Sequence, residues 1–270
     1  MKFRAQHFQE SGFTMVEVAI SLAIIGIALV AIIGVLPLGM NVQRDNREAT
    51  VINQDATVFI EAIRNGSLGL DDLTNYVYAI TNTWMKFGPN AVVQNINADG
   101  YSSQGSAITK ISSPPFFPLT NGLRIVGLLS TPEFTDLYFN PTNNLFSGGY
   151  SNHVVVSVRS ISGPAVEKPP QDNQIIQADA FNYRIYCVNA PVASDTNIFN
   201  LSLNQQAYSR QLAVNLHELR LTFLWPVQPN GKLGNGRQTY RALIAGQIGQ
   251  TNSLLQPLYF YQSQSFTNAP

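Results

Sequence analysis

The chain has 270 residues, and its sixteen basic and sixteen acidic residues cancel to a formal net charge of zero; only 12% are charged and 45% are apolar. So balanced a charge excludes an electrostatic nucleic-acid binder, which needs a basic stripe, and leaves Asn, Gln, Ser and Thr to supply the polar surface. Cys187 is the only cysteine, which rules out an intrachain disulfide and a cysteine-based zinc site and marks a small buried residue in the apolar run Tyr183-Arg184-Ile185-Tyr186-Cys187-Val188.

The strongest signal is at the start. Met1 to Gly12 is short and polar, with Lys2 and Arg4 opposed only by Glu10, and from Val18 to Gln43 no residue is charged. At about 1.5 Å per residue, Val18 to Leu36 alone makes a helix of about 28 Å, close to the hydrocarbon thickness of a bilayer. A secretory signal would carry a shorter apolar region ending in a small-x-small cleavage site; Leu36-Pro37-Leu38-Gly39-Met40 is no such site. Lys2 and Arg4 before the span are matched by Arg44 and Arg47 after it, so the initial amine alone tips the balance toward an N-terminus inside.

The junction Ser11-Gly12-Phe13-Thr14-Met15-Val16-Glu17 resembles the cleavage and methylation motif of type IV pilins and type II secretion pseudopilins. Met15 stands where that family more often has leucine, a volume-conserving change. The resemblance implies a leader ending at Gly12, cut by a prepilin peptidase on the cytoplasmic face. It also implies a mature chain beginning at Phe13, methylated there, with Glu17 as its fifth residue. It places the protein in a bacterial inner membrane as a single-pass protein, N-terminus cytoplasmic, with its C-terminal domain periplasmic or extracellular in a filament. Its partners would be the peptidase, other pilin or pseudopilin subunits and inner-membrane lipid; the balanced charge leaves no nucleic acid expected, and no motif points to a cofactor. The Leu36-Pro37-Leu38 end of the span and Leu221-Thr222-Phe223-Leu224-Trp225-Pro226-Val227 are similar to minor pilin-like proteins such as the Verru-Chthon cassette type B group.

A carboxylate at the edge of a hydrocarbon span is costly, up to ~2.5–3.5 kcal/mol at mid-bilayer and less near the ends. Glu17 is open to two readings. As a first-turn residue it is favoured by the helix macrodipole. Cleavage would also turn the Phe13 amide into a cationic amine four residues away on the same helix face. That amine can pair with Glu17 of its own chain or with Glu17 of a neighbour, the assembly contact that the resemblance implies.

Pro37 removes a helix hydrogen bond and Gly39 follows it, which predicts a kink or a melted turn there. Beyond it Ala49, Ile52, Ala56, Phe59 and Ile63 form one apolar stripe, flanked by Arg47, Glu48, Asp55, Glu61 and Arg64, and Asn65-Gly66 is a stop signal. One interrupted helix is therefore expected from Phe13 to Arg64, dividing the chain into a leader (1–12), a transmembrane half (13–40), an amphipathic half (41–65) and a β-rich domain (66–270).

In that domain, apolar residues at 73, 76, 77, 80 and 84 predict a second, shorter helix over Asp71 to Trp84, and Gly88 to Gly122 reads as loop. Strands are expected at Leu123–Leu129, His153–Ile161, Phe181–Val188, Leu216–Trp225 and Thr239–Ile248. Leu219, Leu221, Phe223 and Trp225 alternate with Arg220, Thr222 and Leu224, and Gln228-Pro229-Asn230-Gly231 and Gly234-Asn235-Gly236 signal a hairpin. A long helix followed by consecutive strands predicts an α+β fold with an antiparallel sheet covered by the helix stripe, which is also the pilin-like fold. Ala242 to Pro270 carries no charge, which suggests an extended tail or an edge strand buried on another subunit.

Catalytic constellations are not found. His7 would leave with the leader, and His217-Glu218 begins like a zinc-protease helix, but Leu221 stands where the second histidine belongs. Asn95-x-Asn97-x-Asp99-Gly100 resembles half a calcium loop, yet Ser106 replaces the terminal Glu and one carboxylate is too few for a hard cation; an Asx-rich turn is the better reading. Phe116-Phe117 and Tyr259-Phe260-Tyr261 are read as packing under a loop or against a neighbour rather than stacking on ligands. The expected function is thus a structural, non-enzymatic subunit, a minor pilin or pseudopilin. The alternative is a pilin-like binding module at a filament tip, contacting a secreted substrate, DNA or a surface. The presence of Glu17 argues against the specialised tip subunit of secretion pseudopili, which typically lacks this acid.

Overall fold

The computed structural model describes residues 12–66, 71–88, 92–102, 116–119, 121–135, 138–140, 145–162, 181–192, 202–228, 230–252, 257–262 and 265–266. The leader before Gly12 and the terminal Ser106 of the calcium-like run lie outside them. The chain divides into two compact units, Met1–Thr50 and Val51–Pro270.

Helix α1, Met15–Asn65, runs through both units as one element with Pro37 inside it. In the first unit every described side chain from Gly12 to Arg47 is exposed. In the second, Ile52, Phe59 and Ile63 are completely buried and Ala56 nearly so, as the stripe predicts; each fully buried large side chain contributes about 1.5–3 kcal/mol. The stop at Asn65 follows the expected signal, with Gly66 at φ 64°, where a side chain would be strained.

The main sheet has eight strands in the order β10-β9-β8-β7-β1-β2-β3, with β4 paired to β7. Its members are β1 (Val77–Phe87), β2 (Val93–Ser102), β3 (Phe116–Pro118), β4 (Phe134–Thr135), β7 (Tyr150–Arg159), β8 (Asn182–Pro191), β9 (Leu216–Val227) and β10 (Leu233–Ala245). All pairings are antiparallel except β2 with β3. Two small hairpins complete the described strands, β5 (Tyr138–Asn140) with β6 (Leu145–Ser147) and β11 (Gln247–Asn252) with β12 (Pro257–Gln262). Strand β9 alternates as expected, with Leu219, Leu221, Phe223 and Trp225 buried. These pack with the α1 stripe and with Val156, Tyr183 and Ile185 in one core. The result is the expected α+β, pilin-like arrangement, a long N-terminal helix with an antiparallel sheet.

Four local expectations are corrected. The segment expected as a second helix gives only α2, Leu73–Tyr76, and then strand β1. The Val-Tyr-Ala-Ile-Thr-Asn-Thr-Trp composition is β-branched and aromatic, and both edges of β1 find partners, so pairing overrides the helical spacing. The stretch expected as loop contains β2, whose run Asn95 to Gly100 pairs residue by residue with Thr81 to Lys86. The Asx-rich turn is therefore a strand. Leu123–Leu129, expected as a strand, lies in helix α3, Gly122–Leu129, started by Asn121, whose side chain accepts from Arg124 N at 3.0 Å. The uncharged C-terminal stretch is not an extended tail over its described part. It forms the β11–β12 hairpin and packs β12 on α3 through Leu258 and Phe260, while the buried Tyr261 donates its hydroxyl to Asn189 Oδ1 at 2.5 Å. A further helix, α4 (Leu203–Asn215), had no counterpart in the expectations, although Ser202-x-x-Gln205 is a capping-box signal and Ser202 N donates to Gln205 Oε1 at 3.1 Å.

The α3–β12 contact depends on a glycine. A Cβ on Gly127 would stand 2.8 Å from Phe260 Cζ and 2.9 Å from Leu258 Cβ. The phenyl tip can move aside, but the Leu258 Cβ is fixed by its backbone. Gly127→Ala is expected to cost about 1–3 kcal/mol by overpacking, read as a lower midpoint in thermal unfolding of the mature protein.

Candidate functional site

The helix start at the leader junction is built by two side chains. Glu17 N donates to Thr14 Oγ1 at 3.3 Å, while Thr14 N and Thr14 Oγ1 each donate to Glu17 Oε2 at 3.4 Å. Thr14 stands before the first helical residue and Glu17 is the third in the helix, so the pair closes a capping box, satisfying two backbone donors that the helix leaves open. The Thr-x-x-Glu spacing is in the sequence, and reading Glu17 only through the macrodipole and the new amine missed it. Ser21 Oγ donates to Glu17 O at 2.7 Å and adds a second polar tie in the first turn.

Gly12 and Phe13 precede this cap in non-helical backbone, and Phe13 is 84% exposed. The Gly12-Phe13 bond is therefore accessible and outside the helix, followed at once by its capped first turn. From Met15 onward α1 is the one helix among the described residues that is long and apolar enough to cross a membrane, and its most apolar window is wholly exposed. The core helix of a water-soluble protein would bury such a face; Ile27 and Val30 are each 73% exposed. Pro37 and Gly39 lie within the helical run, with no melted turn between them and the docked half.

Residues 8–33 match the family model of the prokaryotic N-terminal methylation motif. The match covers Gly12, Phe13 and Glu17 together with most of the uncharged run. No curated protein and no solved structure matches the chain.

The docked half of α1 holds a group that the sequence placed wrongly. Asp55 was expected on the polar flank of the stripe, but it is completely buried. Oδ2 accepts from Ile161 N at 2.9 Å and Tyr183 Oη at 2.8 Å, and Oδ1 accepts from Ser162 N at 2.9 Å and Ser162 Oγ at 2.6 Å. Burial pushes the carboxyl above the usual carboxylate range, against the opposing pull of these four donors. Only donors at 161, 162 and 183, remote in the chain, distinguish it from the exposed acids around it.

The remaining candidates lie in strands of the sheet. His217 lies on β9, and Cys187 is buried on β8, where burial raises its thiol pKa. Burial lowers the His217 pKa against the hydrogen bond to Val214 O, and its ring meets Tyr261 edge-on at 5.7 Å. Asp99 of the calcium-like run accepts from Trp84 Nε1 at 2.8 Å instead.

Proposed function

We propose that this protein is a structural subunit, a minor pilin or pseudopilin, of a type IV pilus-like or type II secretion filament. In this reading a prepilin peptidase cuts after Gly12, the new Phe13 amine is methylated, and the chain is held in the inner membrane by the first part of α1 until it enters the filament. Its work is packing rather than catalysis: the exposed apolar helix joins neighbouring helices, and the sheet domain faces outward. The observation that carries the reading is the junction itself, an accessible Gly12-Phe13 bond beside a capped helix whose uncharged run from Val18 is exposed and begins within the matched motif. Pro37 and Gly39 mark the part of the helix least supported by its own hydrogen bonds, and so the place where it would bend or loosen on leaving the membrane. A second reading, a pilin-like binding module, is favoured by a polar and aromatic cavity in the sheet domain.

The test is direct. N-terminal sequencing and intact mass of the protein from its own membrane should show a chain beginning at Phe13 and heavier by one methyl group. Gly12→Leu, which fills the position on the leader side of the bond, should leave the full-length precursor uncut. A mature terminus elsewhere, or normal processing of that variant, would refute the reading.

A further inference from the structure

The interior face of the sheet changes character along β1. Ile80 pairs with Val156 of β7 and Tyr101 of β2, all three buried in the core. The next positions on that same face are Asn82, opposite Asp99, and Trp84, opposite Asn152. A face turned toward the core would be expected to continue with aliphatic side chains; this one continues with amides, a carboxylate and an indole. They line a cavity of about 240 Å³ where β1, β2, β4 and β7 meet the end of α3 and the β11–β12 hairpin. Tyr150 and Thr135 complete the wall used here.

The wall is held in place. Asn152 Nδ2 donates to Pro132 O at 3.1 Å and Thr135 Oγ1 at 3.3 Å, which fixes Asn152 Oδ1 as the acceptor for Asn82 Nδ2 at 3.2 Å. Asn82 Oδ1 is then a buried acceptor with no partner among the described residues, an uncommon state in a native fold. Asp99 spends Oδ2 on Trp84 Nε1, and a carboxylate has further lone pairs to offer. The Trp84 and Tyr150 rings stand edge to face, with centroids 5.5 Å apart and planes at 81°, so they present two differently oriented aromatic surfaces. No Lys, Arg or His lines the cavity among the described residues.

We propose that this cavity binds a neutral pyranose sugar. A sugar ring has one face of C–H groups that lies on an aromatic surface, and a rim of adjacent hydroxyls that matches planar amide and carboxylate groups. A volume of about 240 Å³ is room enough for one such ring. Without a cationic side chain the wall gives nothing to a phosphate or sulfate group. A quaternary ammonium ligand would use the aromatic faces and the carboxylate but, having no hydrogen-bond donor, would leave the Asn82 Oδ1 acceptor unmet. The site lies wholly within the sheet domain, so it stands whether or not the chain is cleaved or enters a filament.

Saturation-transfer NMR on the mature full chain, in micelles of a detergent without a sugar headgroup, tests the proposal. The probes are methyl glycosides of glucose, galactose, mannose and N-acetylglucosamine, with the corresponding free sugars, choline and inorganic phosphate alongside. Saturable binding of at least one sugar is expected, weakened more than tenfold by Tyr150→Ala and by Asp99→Asn. The second variant keeps an acceptor for Trp84 Nε1 and so guards against loss of fold, checked by an unchanged thermal midpoint. Equal binding of the glycoside and the free sugar marks the end of a glycan as the source; preference for the free form marks a free sugar. Saturation by choline or phosphate alone, by none of the probes, or equally in wild type and Asp99→Asn overturns the proposal.

Discussion

Glu17→Gln is expected to leave cleavage after Gly12 intact and to reduce incorporation into filaments more than tenfold. The variant separates two jobs that one carboxylate can do. Either Glu or Gln at the third helical position closes a capping box, so Gln keeps the tie to Thr14 seen here at 3.3–3.4 Å. What Gln lacks is charge. After cleavage the Phe13 amine is a cation four residues from Glu17, and a unit charge pair about 4 Å apart in a partly desolvated setting is worth on the order of 4 kcal/mol. Where the amine that Glu17 meets is a neighbour's, that would carry roughly a thousandfold preference for joining the neighbour. If capping were the whole role of Glu17, Gln would assemble as well as Glu, and Glu17→Ala would show only the loss of about 0.5–2 kcal/mol typical of a missing cap. Quantifying processed subunit in membrane and sheared-filament fractions for the three proteins distinguishes these outcomes. Normal incorporation of Glu17→Gln would defeat the charge argument.

The parts of this fold that were legible in the sequence are those where one physical demand acts alone. An uncharged run from Val18 to Gln43 has one explanation, and Leu219, Leu221, Phe223 and Trp225 alternate because one face of β9 is buried and the other is not. The misread parts are those where two demands compete. Leu123–Leu129 is short, apolar and partly β-branched, and periodicity cannot separate strand from helix over such a length; Asn121, which decides it by capping Arg124 N, is a residue outside the run. Asp71 to Trp84 had helical spacing but strand-forming side chains, and its two neighbours in the sheet settled the matter. Strand β2 was hidden because amides and Asp99 occupy positions where a sheet packed only on itself would carry aliphatics. The cleavage site was legible because it is contiguous, from Ser11 to Glu17. The cavity was not, because its wall is assembled from residues 82, 84, 99, 135, 150 and 152, which only the strand register brings together.

Asp55→Ala is expected to destabilise the sheet domain by about 3–5 kcal/mol, the range for breaking a buried charged network from one side. The four donors that converge on the carboxylate, from Ile161, Ser162 and Tyr183, would be left without it in a place where water does not replace it. For a domain of this size the loss corresponds to a fall in melting temperature of roughly 10 °C. Asp55→Asn should be nearly as damaging despite its matching shape, because each carboxylate oxygen accepts two bonds and an amide NH2 in either place meets donors. The pH dependence follows from the direction of the shift. Burial raises the Asp55 pKa in the folded protein above its unfolded value, so the folded state holds the proton more tightly. The associated stability is complete below the unfolded value of about 3.9 and is lost as pH rises through the raised folded value. The Ser162 and Tyr183 hydroxyls can turn to accept that proton, which makes the neutral acid acceptable in the fold. Thermal unfolding across this acidic range should show wild type losing stability as pH rises through the folded value, with this component absent in Asp55→Asn; the same slope in both proteins would place its origin elsewhere. The docked half of α1 would then be fastened to the sheet by an acid whose charge is tolerated only because four donors surround it.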